Sequence, residues 1–250
     1  MFTVEWRHNV REQLLRRARE DERIVGAALT GSGARGAEDR WSDVDLFFGV
    51  SPMTAVAETL GDWTDHLYRD LGALHHFDLH AGPAVYRAFL LDGLLEIDLG
   101  FTPATSFGPR GDGEFRVLFG DAVPRRPNPA DPDHLAGLTW HHVLHARVAI
   151  ERGNVWQAEY WISALRDNVL TLACHRLGES VAYAKGADRL PGSVTGPLRE
   201  ALVRELRRDE LYRALRAVTW ALVDELRVSV PEAAASLEAA LVELGAPAAG

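Results

Sequence analysis

LTGSGARGAEDRWSDVDLFF, residues 29–48, sets a glycine-bearing turn and an Asp-x-Asp pair within twenty residues of one another. The runs on either side, RIVGAALT (23–30) and VDLFFGV (44–50), are apolar and β-prone, which predicts a strand, a turn and a second strand. In a strand, residues i and i+2 leave the same face, so Asp43 and Asp45 present two carboxylates side by side while Val44 turns away. Like charges that close repel unless a cation sits between them, and magnesium suits the place, since it takes a few carboxylates together with phosphate oxygens. Gly31 and Gly33 permit backbone geometries closed to other residues, and Ser32 leads into a short predicted helix, GARGAE, whose free N–H groups can receive a phosphate. A metal–nucleoside triphosphate satisfies both features. Asp98, in LLEIDLGF, supplies a third carboxylate if its strand lies beside that of Asp43, with Glu96 on the same face as the substitute. Two metals held in this way would clamp the attacking and leaving oxygens of an in-line displacement at phosphorus.

The rest of the first half reads as a helix from Trp6 to about Glu20, a helix from Met53 to Leu71, and a short strand FDLHAG (77–82). A hairpin VYRAFLLDGLLEIDLGF follows, turning on Asp92-Gly93 as a two-residue connection. Beyond residue 130 the apolar positions recur at i, i+3 and i+4. HLAGLTWHHVLHARVAIERG, VWQAEYWISALRDNVLTLACHRLG, PLREALVRELRRD and ELYRALRAVTWALVDELRV predict an antiparallel bundle of four or five helices. An alanine-rich helix ends in a tail expected to fray. Pro124, Pro127, Pro129 and Pro132 break any continuous element and place a linker at 121–131. The expected fold class is α+β, with a mixed sheet flanked by helices over residues 1–126 and a helical bundle over 127–250.

Composition removes several classes. A chain of 250 residues with 47% hydrophobic content can bury a sizeable core. No window reaches the ~20 consecutive apolar residues of a membrane helix, and the start MFTVEWRHNVREQ lacks an apolar signal core, so no membrane association and a cytoplasmic location are expected. The lone cysteine, Cys174, can form no intrachain disulfide and reads as packing. A net charge of −9 disfavours a nucleic-acid-binding role and favours a cationic small molecule.

GSGARG followed by SDVDL and by a later strand with IDL resembles the polymerase-beta-like nucleotidyltransferase superfamily. Its motif of Gly-Ser, a short helical turn, Asp-x-Asp and a third Asp on a neighbouring strand falls on Gly31, Ser32, Asp43, Asp45 and Asp98. The helical half, in RDNVLTLACHRLG and YAKGADRLP, resembles the antibiotic nucleotidyltransferases that act on aminoglycosides and lincosamides. The resemblance implies transfer of a nucleoside monophosphate, AMP from ATP or another nucleoside triphosphate, to a hydroxyl of such an antibiotic, with magnesium as cofactor and antibiotic resistance as the outcome. It also implies a basic residue reaching the triphosphate, Lys185 with Arg176 or Arg166 nearby, and an acceptor lying between the sheet and the helices. Relatives of this build often complete their cleft with a second subunit, so a homodimer is a further expectation. Two other readings stand beside this one: a protein-modifying, antitoxin-like nucleotidyltransferase and a nucleotide sensor without turnover. The RNxxxH signature of the toxins that pair with such antitoxins is missing, and a pure sensor would not require three carboxylates.

Several residues keep two readings. Arg35 either contacts the triphosphate or caps the last-turn carbonyls of its own short helix. The base for the acceptor hydroxyl is Asp98 or Glu96, with Glu159 on a facing helix as the outside candidate. His75, His76 and His80 lie near Asp78, and His141 and His145 stand one helical turn apart, yet no HExxH occurs and they read as surface or core histidines rather than zinc ligands. Trp140, Trp156, Trp161 and Tyr160 read mostly as core, with one or two left to line a cleft.

Overall fold

The computed structural model describes residues 1–110, 113–125 and 131–246. The chain is α+β and divides into two compact units, Met1–Asn128 and Pro129–Gly250. Much of the expected linker, the boundary at 126/127 and the tail from 247 onward lie outside the described residues. No described helix is long and apolar enough to cross a membrane.

In the first unit a mixed sheet is backed by two helices. α1 (Val4–Glu20) starts where the Thr3 hydroxyl accepts the Trp6 N–H at 3.1 Å, satisfying one of the amides that a helix start leaves open. The remaining elements run β1 (Ile24–Thr30), α2 (Gly31–Arg35), β2 (Val44–Val50), α3 (Val56–Asp70), β3 (Ala73–Ala81), β4 (Ala84–Leu91), β5 (Glu96–Pro103) and β6 (Phe115–Phe119). Strand order is β3-β4-β5-β2-β1-β6, with β2 and β5 parallel and every other neighbouring pair antiparallel.

The period of two along each strand sorts the side chains by face. Leu46 and Phe48 of β2 and Ile97, Leu99 and Phe101 of β5 join Leu14 of α1 and Trp63 and Leu67 of α3 in one buried cluster. Trp63 lies 4.8 Å from the Phe48 ring and 5.6 Å from that of Phe101, centroid to centroid. Phe47 points the other way, to a smaller cluster with Ala28, Ala84 and Phe107. The Phe107 ring lies so close to β1 and β2 that a Cβ at Gly26 or Gly49 would come within 2.7 or 2.9 Å of its side chain. Asp45 and Asp98 alternate with the helix-facing residues and so belong to this second face.

Several expectations are corrected. The helix after the glycine turn begins at Gly31 rather than Gly33. The β4–β5 connection is a three-residue turn, Asp92–Leu94, closed by the Leu91 N–H on the Leu95 carbonyl at 2.8 Å. β3 extends four residues further toward the N-terminus than FDLHAG, and β6 pairs with β1 at an edge where no strand was predicted.

The second unit packs α4 (Pro132–Glu151), α5 (Val155–Leu177), α6 (Gly192–Glu200), α7 (Arg208–Ser229) and α8 (Pro231–Gly245) around one apolar core. Asp131 caps α4 by accepting the N–H groups of Asp133 and His134, and Gly178 closes α5 in the left-handed conformation. PLREALVRELRRD is not one helix. α6 stops at Glu200, and Arg213 of α7 donates to the freed carbonyls of Glu200 and Leu202, so the last turn is satisfied without further helix.

Candidate active site

The parallel pairing of β2 with β5 puts Asp45 directly beside Asp98, one register step after Val44 beside Ile97. Asp43 precedes the first residue of β2, so it is delivered by the incoming loop rather than by the strand itself. Asp43, Asp45 and Asp98, all half-buried, each bring one carboxylate oxygen to within 4.8 Å of the other two. Among the described residues no other group of three or more His, Cys, Asp or Glu side chains is so arranged. Three carboxylates that near repel one another strongly. The donor set is all hard oxygen, which fits magnesium, manganese or calcium rather than a thiolate- or imidazole-seeking metal.

The glycine turn touches this cluster. Gly31 has φ +56°, and a Cβ built there would lie 2.1 Å from Asp45 Oδ2. The missing side chain is therefore the space the carboxylate occupies. Ser32 follows, half-buried, and the Thr30 side chain makes no cap bond to the start of α2. At its other end α2 closes on Gly36, whose N–H meets the Gly33 carbonyl at 3.4 Å, while Ala37 N–H reaches the Ser32 carbonyl at 3.1 Å. Arg116 of β6 also donates to the Gly33 carbonyl, at 3.1 Å. Arg35 is exposed, and the Ser32 and Gly33 carbonyls at the end of α2 are met by Ala37, Gly36 and Arg116, so the carbonyl-capping alternative for the Arg35 side chain falls to these groups.

A positioning residue had no signal in the sequence. Arg7 of α1 is buried although charged, and its guanidinium donates to the backbone carbonyls of Asp39 and Ser42, the latter at 2.9 Å. Arg11 adds a two-pronged bond to Glu38 at 2.8 and 2.7 Å, and the Ser42 hydroxyl accepts the Asp39 N–H at 2.9 Å. The loop that brings Asp43 to β2 is thus tied down along its length from α1. An arginine on a helix otherwise spaced like any amphipathic helix gives no hint of this.

The other sequence candidates separate. Glu96 is the first residue of β5, is exposed and stands outside the carboxylate group. Glu159, in the second unit, accepts the Ser163 hydroxyl at 2.6 Å. Lys185 is exposed, with its ammonium 6.0 Å from the Tyr183 ring centroid. Arg176 is committed to Glu225 through two bonds of 2.8 Å, and Arg166 lies 3.5 Å from Asp167. His76 bonds the Tyr68 hydroxyl at 2.9 Å, while the His141 and His145 rings lie 4.2 Å apart against Trp161. The aromatic expectation is corrected: Trp140, Trp156 and Tyr160 are 41%, 74% and 60% exposed, and only Trp161 of this set packs against the core. Trp156 and Tyr160 are four apart on α5 and share a face turned away from buried Ala158 and Ile162.

Cys174 is buried, and burial pushes its thiol pKa up, in keeping with packing. It lines a cavity of about 420 Å³ in the second unit with Asp167, Leu170, Thr171, Val181, Tyr183 and Ala184.

No protein-family model and no curated protein matches the chain. Among solved structures the chain is similar to an aminoglycoside 6-adenyltransferase from Bacillus subtilis, at 13% identity and a TM-score of 0.35, over 94% of this chain and 96% of that one. A score of that size carries no argument about activity.

Proposed function

We propose that the chain is a metal-dependent nucleotidyltransferase that moves a nucleoside monophosphate, AMP from ATP in the first instance, onto a hydroxyl of a small molecule. The observation that carries this reading is the joining of two features in one place: three carboxylates on one side of the sheet and, against one of them, a backbone turn with no side chain at Gly31. A divalent cation held by Asp43, Asp45 and Asp98 would neutralise charge on the phosphate oxygens.

The chain's own residues do the rest. Gly31 and Ser32 receive the triphosphate through backbone N–H and hydroxyl, and Arg35 supplies positive charge to it. Asp98, or Glu96 at the strand start, accepts the proton of the acceptor hydroxyl. The acceptor oxygen forms a bond to the α-phosphorus as the bond from that phosphorus to the bridging oxygen breaks. Pyrophosphate leaves with the electron pair, and the proton passes through the carboxylate to solvent. For the acceptor, the resemblance of the helical half favours a polyhydroxylated, cationic compound of the aminoglycoside or lincosamide kind, and the net charge of −9 favours a cation.

The test is incubation with magnesium, each nucleoside triphosphate in turn, and a panel of aminoglycosides and lincosamides, read by mass spectrometry and by pyrophosphate release. A nucleotidyl adduct of one compound supports the reading. An adduct on a co-purifying protein replaces it with the antitoxin-like alternative, and nucleotide binding without pyrophosphate release replaces it with the sensor.

A further inference from the structure

β3 is an edge strand of unusual character. At nine residues it is longer than the other strands of the sheet, and among the described residues it pairs with β4 alone. Edge strands normally discourage further pairing by short length, charged side chains (lysine above all), proline or a bulge, and β3 has of these only Asp78, already bonded to Arg87, and a bulge at its start. ALHHFDLHA (73–81) carries neither lysine nor proline, and its Phe77 and Leu79 are 53% and 51% exposed. Large apolar side chains on an open edge are the ingredients of edge-to-edge association.

The register says which backbone groups are open. β3 and β4 join through Gly82-Pro83, with Ala81 opposite Ala84. In a two-residue hairpin the closing pair exchanges both hydrogen bonds, and bonded pairs then alternate along the ladder. Ala81, Leu79 and Phe77 therefore turn their N–H and C=O groups toward β4. Those of His76, Asp78 and His80 point outward. At the start of the strand the register shifts between Ala73 and His75, a bulge at Leu74 that limits a regular outer ladder to about residues 75–80.

A second β3 laid antiparallel on this edge must pair outward residues with outward residues, so a twofold axis can pass through Phe77, Asp78 or Leu79. An axis at Asp78 sets two aspartates opposite one another, which is unfavourable. An axis at Phe77 sets His76 opposite the partner's Asp78, and Asp78 opposite the partner's His76. On the other face it brings the two Phe77 rings together at the axis, as the closer, non-bonded kind of pair, and places Leu79 opposite the partner's His75. Within the chain the His76 side chain is fixed by the Tyr68 hydroxyl, at 2.9 Å, and that of Asp78 by the Arg87 guanidinium, at 2.6 and 2.7 Å. An axis at Leu79 also sets Asp78 opposite the partner's His80, but it overlaps only residues 78–80 of the regular outer ladder, whereas the axis at Phe77 overlaps 75–79 and so gives the longer pairing.

We propose that two copies of this chain join their β3 strands antiparallel about a twofold axis at Phe77, making one continuous sheet across the dimer. Such an isologous contact closes on itself and consumes the β3 edge of each copy, so association through β3 stops at two copies.

The test uses the full chain. Sedimentation velocity over a micromolar concentration series is expected to show a dimer, and Phe77→Lys is expected to weaken self-association at least tenfold. Because Phe77 is exposed, its thermal unfolding at low concentration should stay that of the parent. Register is read separately: Cα atoms of a non-bonded pair lie about 4.5 Å apart, within disulfide reach. Phe77→Cys should close an intermolecular disulfide on mild oxidation. Leu79→Cys should not, since its copy lies about four residues away along the strand, roughly 13 Å. The parent, whose Cys174 is buried, serves as the control. A monomeric parent, a dimer that survives Phe77→Lys, or cross-linking of Leu79→Cys as fast as that of Phe77→Cys would each overturn the proposal.

Discussion

Gly31→Ala is the smallest change that reaches the proposed site without altering a charge. Two costs follow from the structure. The backbone at φ +56° is strained for any L side chain, which costs about 1–2 kcal/mol in the first unit and shifts its melting by roughly 3–6 °C. The new methyl would also lie 2.1 Å from Asp45 Oδ2, whereas ordinary contact needs about 3.4 Å, so the carboxylate must retreat by more than an ångström or the turn must open. A displacement of that order at a reacting centre costs on the order of 100-fold in rate. The assay pairs thermal unfolding with manganese affinity and with pyrophosphate release under saturating nucleotide. The expected result is a modest loss of stability alongside a large loss of metal affinity and turnover. A variant that loses the few degrees yet binds manganese and releases pyrophosphate like the parent would refute the idea that Gly31 exists to make room for Asp45.

Arg176→Met should destabilise the second unit by about 2–3 kcal/mol in urea, because Glu225 is left buried at 4% exposure without its partner, while the 29% exposure of Arg176 lets solvent soften the loss. Nucleotide affinity should not change, and weakened affinity at unaltered stability would return Arg176 to the triphosphate. Asp21 is held at a pKa of about 2, below the ordinary 3.8, chiefly by the Arg23 guanidinium beside it and also by the Trp63 indole N–H. Its folded pKa is depressed, so its contribution is fully present above the ordinary value and is lost as pH falls toward about 2. Urea titrations from about pH 5 to about pH 2 should show the parent losing more stability than Asp21→Asn; parallel curves for the two would contradict the assignment.

The sequence was most legible where one period dominated. VDLFFGV reads as a strand and is β2 from its first residue to its last, because alternation and β-branched or aromatic composition agree there. That Asp98 lies beside Asp45 could not be read from spacing, since parallel neighbours are set by crossover topology and leave no local trace. β6 escaped notice because FRVLF is five residues long and carries a central polar-to-apolar alternation too short to count. Trp156 and Tyr160 read as core because aromatics usually are, but helical spacing alone does not say which of two apolar stripes faces inward. Arg7 shows the same limit from the polar side: its partners are backbone carbonyls about 32 and 35 residues on, invisible to any side-chain pattern.

The central claim is that Asp43, Asp45 and Asp98 together hold a divalent cation for a bound triphosphate. Manganese binding followed by electron paramagnetic resonance, with and without a non-hydrolysable ATP analogue, tests it directly on the intact chain and on Asp45→Asn. The account predicts manganese binding that the nucleotide analogue tightens, and a loss of at least tenfold, about 1.4 kcal/mol, in the variant. Equal manganese affinity in the two proteins, or binding indifferent to the analogue, would contradict it.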